Sequence, residues 1–288
     1  MAIRVLAAAT LCLGSCAFEP ASVEPVGTDA IAFVVVEAEP QASFGAPTAL
    51  ASLNSAGAED DPTLTADQLE IWFERDADIY TASRRSIDEA FGPPSLVVEV
   101  STGFAETTPE VSGDGSTLFF SSDRAGNGLD IYLSIRRAGA AAWSPPARVD
   151  ALSSSGIDTS PVSVDGTWMI LASDRLGTMD LLESRLSTGG WWSTPSLLAG
   201  MSETMGGEMD GTCDATHTVL YFVTDWRGSG DLFVSSRASA DLPWEPAVPL
   251  EELDSNGAED DPWISPDLQT LYFSSDRDGS MDLFVSRR

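Results

Sequence analysis

The sequence predicts an all-β protein assembled from five copies of one small antiparallel sheet, and three observations predict it. An Asp-Ile-Tyr-like triplet recurs at Asp78-Ile79-Tyr80, Asp130-Ile131-Tyr132, Asp180-Leu181-Leu182, Asp231-Leu232-Phe233 and Asp282-Leu283-Phe284. Its aspartates are spaced by 52, 50, 51 and 51 residues, and a fixed period of that size marks a repeat architecture. Inside each period, short runs of aromatic and β-branched residues alternate with turn signals every 8–12 residues or so, which is the pattern of strands. No stretch carries a sustained helical stripe.

Each copy reads in the same order. An acidic segment leads into proline at Glu59-Asp60-Asp61-Pro62, Glu106-Thr107-Thr108-Pro109, Asp158-Thr159-Ser160-Pro161 and Glu259-Asp260-Asp261-Pro262. The fourth copy keeps Glu208-Met209-Asp210 and places Gly211 where proline would stand. A short strand follows, then a turn such as Gly113-Asp114-Gly115 or Val164-Asp165-Gly166, where glycine accepts the positive φ of a tight hairpin. The second strand is the most apolar, as in Leu118-Phe119-Phe120 or Trp168-Met169-Ile170-Leu171. A Ser-Asp-Arg turn leads to the Asp-Ile-Tyr strand, and a linker carrying Trp and Pro leads to a short fourth strand such as Pro146-Ala147-Arg148-Val149.

A lone four-stranded sheet of this size cannot cover both of its faces, so the copies must stack. Radial stacking into a β-propeller leaves only short edges unprotected. The Pro-x-x-Ser-x-Asp-Gly, Ser-Asp-Arg-x-Gly and Asp-Ile-Tyr elements resemble the WD40-like (PD40) repeats of TolB-type propellers, over about residues 46 to 288. The separate N-terminal domain of TolB has no counterpart here, so the resemblance implies a propeller and not a TolB role. The fifth copy lacks a fourth strand after Arg288, and Phe44-Gly45-Ala46-Pro47-Thr48-Ala49-Leu50 matches the fourth-strand pattern of Trp244 to Leu250. The N-terminal stretch is therefore expected to close a five-bladed ring. Ile31 to Val36 aligns with the third strand at Asp231 to Ser236, which leaves six blades as the alternative.

The expected organisation is a signal peptide over residues 1–16, a tether with a strand remnant over 17–43 and the propeller over 44–288. Arg4, the apolar run Val5 to Leu13 and the Leu13-Gly14-Ser15-Cys16 ending form a secretory signal. That ending also resembles the bacterial lipobox, which would make Cys16 the lipidated N-terminus of an exported, membrane-anchored lipoprotein in the periplasm or at the cell surface. No later stretch approaches the roughly 20 apolar residues of a spanning helix, so any membrane contact is expected through the lipid. Cys213 stands alone after Cys12 and Cys16 are accounted for, so no intrachain disulfide is expected, and Cys213 reads as a buried, inert thiol.

The net charge is −30, and all fifteen basic residues are arginine. Such a chain excludes nucleic acid, which needs basic patches, and favours cations or basic partners. Propeller topology is expected to bring the pre-proline acids Glu59, Glu106, Asp158, Glu208 and Glu259 to one mouth of the channel, beside Arg75, Arg124, Arg175, Arg227 and Arg277. The ring carboxylates are read first as fastenings that bond an arginine or backbone amides of a neighbouring blade, and second as a binding site. The aspartates of the Asp-Ile-Tyr triplets are read as closing their hairpin loops through backbone N–H groups. His217, the only histidine, is expected to be an exposed turn residue, and no transition-metal site is expected. Calcium is the one cofactor considered, through Asp60-Asp61 and Asp260-Asp261, but the spacing of a calcium loop is missing. No catalytic residue is assigned. The expected function is a monomeric, non-enzymatic envelope binding or scaffold module that offers an acidic face to a protein or glycan. A carbohydrate-active hydrolase using channel carboxylates is the first alternative, and a purely structural envelope lipoprotein the second.

Overall fold

The computed structural model describes residues 43–126, 128–137, 142–201, 207–225 and 230–288. Cys16, the leader, the tether, the Ile31 to Val36 run and Arg227 lie outside the described residues. A short strand, β1 (Thr48–Ala49), precedes four complete blades and a fifth of three strands. Blade 1 holds β2 (Glu59–Leu64), β3 (Glu70–Arg75), β4 (Asp78–Ser83) and β5 (Ser95–Leu96). Blade 2 holds β6 (Glu106–Val111), β7 (Thr117–Ser122), β8 (Asp130–Ile135) and β9 (Ala147–Arg148). Blade 3 holds β10 (Asp158–Val162), β11 (Trp168–Ser173), β12 (Asp180–Arg185) and β13 (Ser196–Leu197). Blade 4 holds β14 (Glu208–Cys213), β15 (Val219–Thr224), β16 (Asp231–Ser236) and β17 (Val248–Pro249), and blade 5 holds β18 (Glu259–Ile264), β19 (Thr270–Ser275) and β20 (Asp282–Arg287).

Every sheet is antiparallel, and β1 completes blade 5 by pairing Thr48 with Val285 and Ala49 with Phe284. The chain is thus a five-bladed β-propeller closed by its N-terminal strand, and no helix occurs among the described residues. Six blades are not formed. The ring closes with five because β1 occupies the outer edge of blade 5, the place a further strand would need.

The apolar second strands follow from blade-on-blade packing. Side chains alternate across a strand, and each blade is covered on both faces. In β3, Ile71 and Phe73 enter the wedge shared with blade 5, while Trp72 enters the wedge shared with blade 2. In β15, Leu220 and Phe222 face blade 3, and Tyr221 and Val223 face blade 5. Five such wedges form the core, one between each pair of adjacent blades. A second strand with a polar face would bury that face, which is why none shows polar alternation.

One irregularity repeats in all five copies and shapes the channel. Each innermost strand shifts register after its second residue. At the bulge Asp61, Thr108, Ser160, Asp210 and Asp261 adopt φ of 55°, 46°, 49°, 51° and 48°. Left-handed backbone is uncommon for residues other than glycine, and a bulge re-aims the side chain that carries it. Proline follows in four copies, where the bulge has already removed the ladder bond that its missing N–H could not make.

Candidate functional site

The five pre-proline acids do not line the channel. Glu59, Glu106, Asp158, Glu208 and Glu259 have at most 1% of their surface exposed. They sit at the first residue of each inner strand and turn back into their own blade. Glu106 is representative: it accepts bonds from Thr102 N at 2.7 Å, Thr102 Oγ1 at 2.6 Å, Ser122 Oγ at 3.1 Å and Arg124 Nη2 at 2.8 Å. Arg124 also donates to the Val100 carbonyl at 2.8 Å, in the segment that crosses from blade 1. Asp123 completes the Ser-Asp-Arg turn by accepting Ala105 N at 2.9 Å. The motif thus ties the hairpin, the entry to the inner strand and the crossing segment at one point.

The same knot recurs elsewhere. Arg277 meets Glu259 at 3.1 Å and the Leu253 carbonyl at 2.9 Å, and Arg175 meets Asp158 and the Leu152 carbonyl. In blade 1 the hairpin is several residues shorter than in the other blades, a two-residue turn with φ of 53° at Asp76 and 63° at Ala77, as a type I′ turn requires. Arg75 therefore stands at the strand position directly opposite Glu59 that serine fills in blade 2, yet it reaches Glu59 at 2.7 Å and the Leu53 carbonyl at 2.6 Å. The partner is an arginine of the same blade, which corrects the expectation of a neighbouring blade. The short hairpin brings the guanidinium over its own inner strand, and the bond to the crossing segment carries the link between blades.

The triplet has a physical reason as well. Its aromatic residue stacks on a second-strand phenylalanine, as in Phe120 with Tyr132 at 5.8 Å and Phe273 with Phe284 at 5.9 Å. The arginine lies over both rings, Arg124 at 5.3 and 4.8 Å and Arg277 at 5.2 and 4.9 Å. Blade 3 has Leu171 and Leu182 at these places, so the aromatic pair is absent from that blade. The triplet aspartates have other partners than expected: Asp130 pairs with Arg148 at 2.7 Å, and Asp180 accepts from Thr178 Oγ1 at 2.9 Å. The loop-closing role falls to the Ser-Asp-Arg aspartates Asp123, Asp174 and Asp276, which accept backbone amides that Ala105, Ile157 and Ala258 donate.

The residues that do face the axis are those of the bulge. Asp61, Asp210 and Asp261 each bring a carboxylate oxygen within 4.8 Å of the others, and Thr108 and Ser160 complete the ring. They line a cavity of about 40 Å³ with the prolines and Gly211 beneath them. Thr108 N donates to Asp61 at 3.1 Å, Ser160 Oγ donates to Asp210, and Ser274 Oγ donates to Asp261 at 3.3 Å. Burial first, and then Asp60 and Glu74, hold Asp61 well above the usual carboxylate range, and burial with Asp210 and Asp61 does the same for Asp261. Asp60, Asp260 and Glu74 stand beside them, and none of these six acids enters an ion pair among the described residues. The signal was present in the sequence as acid-x-Asp at Glu59-Asp60-Asp61, Glu208-Met209-Asp210 and Glu259-Asp260-Asp261, but regular strand alternation does not say which of the two acids reaches the axis. The left-handed bulge decides it.

Two other predicted residues are settled by packing. Cys213 is buried, and burial pushes its thiol up, as expected of an inert cysteine. His217 is not exposed: it lies 4.4 Å from the Trp168 ring with 8% of its surface accessible, and its Nε2 is 3.5 Å from Asp165. It occupies a turn, but that turn (φ 56°) folds onto blade 3, and burial lowers the imidazole.

Glu110, two residues past the bulge of blade 2, is 7% exposed, and burial raises its carboxyl to about 7. The folded value lies above the unfolded one, so the native state holds the proton more tightly between about pH 4.5 and 7, and stability falls as pH rises through that window. The shift corresponds to about 3 kcal/mol. Glu110→Gln is expected to remove that much of the stability difference between pH 5 and pH 8 in urea unfolding. An unchanged difference would show that Glu110 titrates normally.

No protein-family model matches the chain, and no curated protein does. Among solved structures it is similar to TolB from Acinetobacter baumannii, at 19% identity and a TM-score of 0.54 over 82% of this chain and 56% of that one. The endo-arabinase from Bacteroides thetaiotaomicron is similar at 16% identity and a TM-score of 0.58, over 86% of this chain and 98% of the enzyme. The α-L-arabinofuranosidase from Podospora anserina is similar at 11% identity and a TM-score of 0.56, over 80% of this chain and 90% of that one. The chain spans just over half the length of the Acinetobacter TolB. At these identities the shared property is the fold, a β-propeller of the kind found in TolB and in the propeller hydrolases.

Proposed function

We propose that the protein is an exported, non-enzymatic binding module whose acidic channel mouth receives a basic segment of an envelope protein. One contrast carries the reading. The fastening acids Glu59, Glu106, Asp158 and Glu259 have an arginine each, whereas Asp61, Asp210 and Asp261, with Asp60, Asp260 and Glu74 beside them, have none among the described residues. Clustered carboxylates without a counter-charge repel one another and hold protons, and a guanidinium or ammonium from outside would relieve both. Burial raises all three bulge carboxyls in the same direction and none of them pairs with a cation among the described residues, which argues against a division into acid and nucleophile. The cavity between them, about 40 Å³, suits an ion or a few waters and not a sugar ring. Export and anchoring rest on the leader and Cys16, and Cys16→Ser is expected to release the protein from membranes.

Calorimetry with an Arg-rich peptide, and separately with calcium chloride, tests the reading. Peptide binding at 0.15 M salt that is lost in Asp61→Asn and Asp261→Asn is the expected result. Calcium binding without peptide binding would make the mouth a metal site. Release of reducing sugar from an arabinan and xylan panel would establish the hydrolase instead, and the absence of all three would leave a structural lipoprotein.

A further inference from the structure

Because the blades repeat, four of them report what the fold needs at any position where the fifth departs. The residue two past the bulge is Thr63, Glu110, Val162, Thr212 and Trp263 in blades 1 to 5. Four copies build the ring with a neutral side chain there, so the carboxyl of Glu110 is not a demand of the architecture. It accepts Thr63 Oγ1 at 2.7 Å from blade 1 and Ser163 N at 3.3 Å from blade 3, and no cation pairs with it among the described residues. A buried carboxylate with two donors and no counter-charge is costly, and fold geometry alone would have selected against it.

Glu110 stands in the wall of a second cavity, of about 220 Å³, further along the inner strands than the bulge aspartates, and Glu110, Thr212 and Trp263 separate the two cavities and line both. The second cavity is walled by Leu64, Val111, Ile264 and Trp263, with Ala215 exposed at its rim. A groove of about 300 Å³ between blades 2 and 3 shares Glu110 and Ser163 with it and adds Phe119, Leu133 and Trp192. Cys213 and Asp214 also line the second cavity, but the Asp214 carboxylate is turned into its own hairpin, where it accepts Thr216 N, Thr218 N and Val219 N. A largely apolar cavity with few polar groups in its wall is how small-molecule sites are usually built.

We propose that the second cavity binds a small hydrophobic primary amine, its ammonium received by the Glu110 carboxylate and its apolar body by Leu64, Val111, Ile264 and Trp263. The ammonium supplies the missing counter-charge and three donors. The face of Trp263 offers a second favourable surface for the cation. The alkyl chain leaves water for the apolar wall, and each added methylene tightens binding about fourfold until the cavity is filled. This site adjoins the cavity of the bulge aspartates through Glu110 and Trp263, but Asp61, Asp210 and Asp261 do not line it, so its amine binding does not rest on the proposed peptide site.

Calorimetry of the full mature protein at pH 8 with butylamine, pentylamine and hexylamine, and with hexanol as the neutral probe, tests the inference. The expected result is saturable binding that tightens along the series, with hexylamine at least about tenfold tighter than hexanol, the counterpart of some 1.4 kcal/mol. Glu110→Gln keeps an acceptor for Thr63 or Ser163 and is expected to erase the preference for amine over alcohol. Ala215→Trp, at the exposed rim, is expected to block both probes. Asp261→Asn is expected to change neither, so loss of peptide binding and loss of amine binding are read independently. No binding of any amine, equal binding in Glu110→Gln, or binding lost in Asp261→Asn and kept in Glu110→Gln would overturn the proposal.

Discussion

Glu106→Gln is expected to destabilise the propeller by about 3–5 kcal/mol, the cost of removing one partner from a buried ion pair. The side chain has no exposed surface, and Arg124 is 16% exposed. The amide would leave the guanidinium without a counter-charge, and it would present N–H to at least one of the donors Thr102 N, Thr102 Oγ1 and Ser122 Oγ. For a domain of this size the melting temperature should fall by roughly 10 °C. The loss should persist in 1 M sodium chloride, because a buried pair is screened little. Asp61→Asn should act with the opposite sign at pH 8, since a neutral amide has neither the burial cost of the charged carboxylate nor the cost of holding its proton there. Urea unfolding of both variants checks the pair of outcomes. A loss below 1 kcal/mol in Glu106→Gln, or equal losses in the two variants, would mean that the ring acids do not fasten the blades.

The opposite signs also mark how far the sequence could be read. Blade number, strand order and ring closure were legible because they depend on a pattern repeated five times, in which apolar second strands and Asp-Gly turns leave few alternatives. The recurrence of Glu59, Glu106, Asp158, Glu208 and Glu259 was equally plain, and so was its pairing with arginine. Recurrence pointed to architecture and not to chemistry: what every blade contains is what every blade needs. The axial residues were harder to see because Asp61, Thr108, Ser160, Asp210 and Asp261 differ in type, and only their shared left-handed backbone brings them to one ring. Sequence alternation cannot reveal such a bulge, since two of its residues oppose one on the partner strand and every later side chain changes face. Glu110 was missed for the same reason. His217 was misplaced because a turn residue is exposed by default, and only the packing of blade 4 on blade 3 sets it against Trp168.

Loss of the N-terminal strand is expected to have the largest effect of any change proposed, since it opens the ring. Shortening the chain to begin at Ala51 removes β1 and leaves β20 as a free edge. Four anchoring bonds go with it: Gly45 N to the Arg287 carbonyl at 2.8 Å, Leu50 N to the Leu283 carbonyl at 2.8 Å, the Ser286 hydroxyl to the Gly45 carbonyl at 2.5 Å, and Phe44 N to Glu252 at 3.1 Å. Phe44 is 5% exposed in the wedge between blades 4 and 5, with Tyr221 at 6.3 Å and the Arg288 guanidinium 4.0 Å from its ring. Phe44→Ala isolates the packing part of the closure and should cost about 3–5 kcal/mol. The truncated chain loses more, because a naked β20 is a template for another chain and solvent enters the wedge behind it. It should elute as dimers or larger species in size-exclusion chromatography, whereas Phe44→Ala should remain monomeric with a lowered melting temperature. A synthetic peptide covering residues 43–50, added in trans, should restore the monomer by re-pairing with β20 through the same register, Thr48 to Val285 and Ala49 to Phe284. A truncated chain that is monomeric and melts with the intact protein would show that the five blades hold together by their wedges alone and that the strand is decoration on a ring already closed.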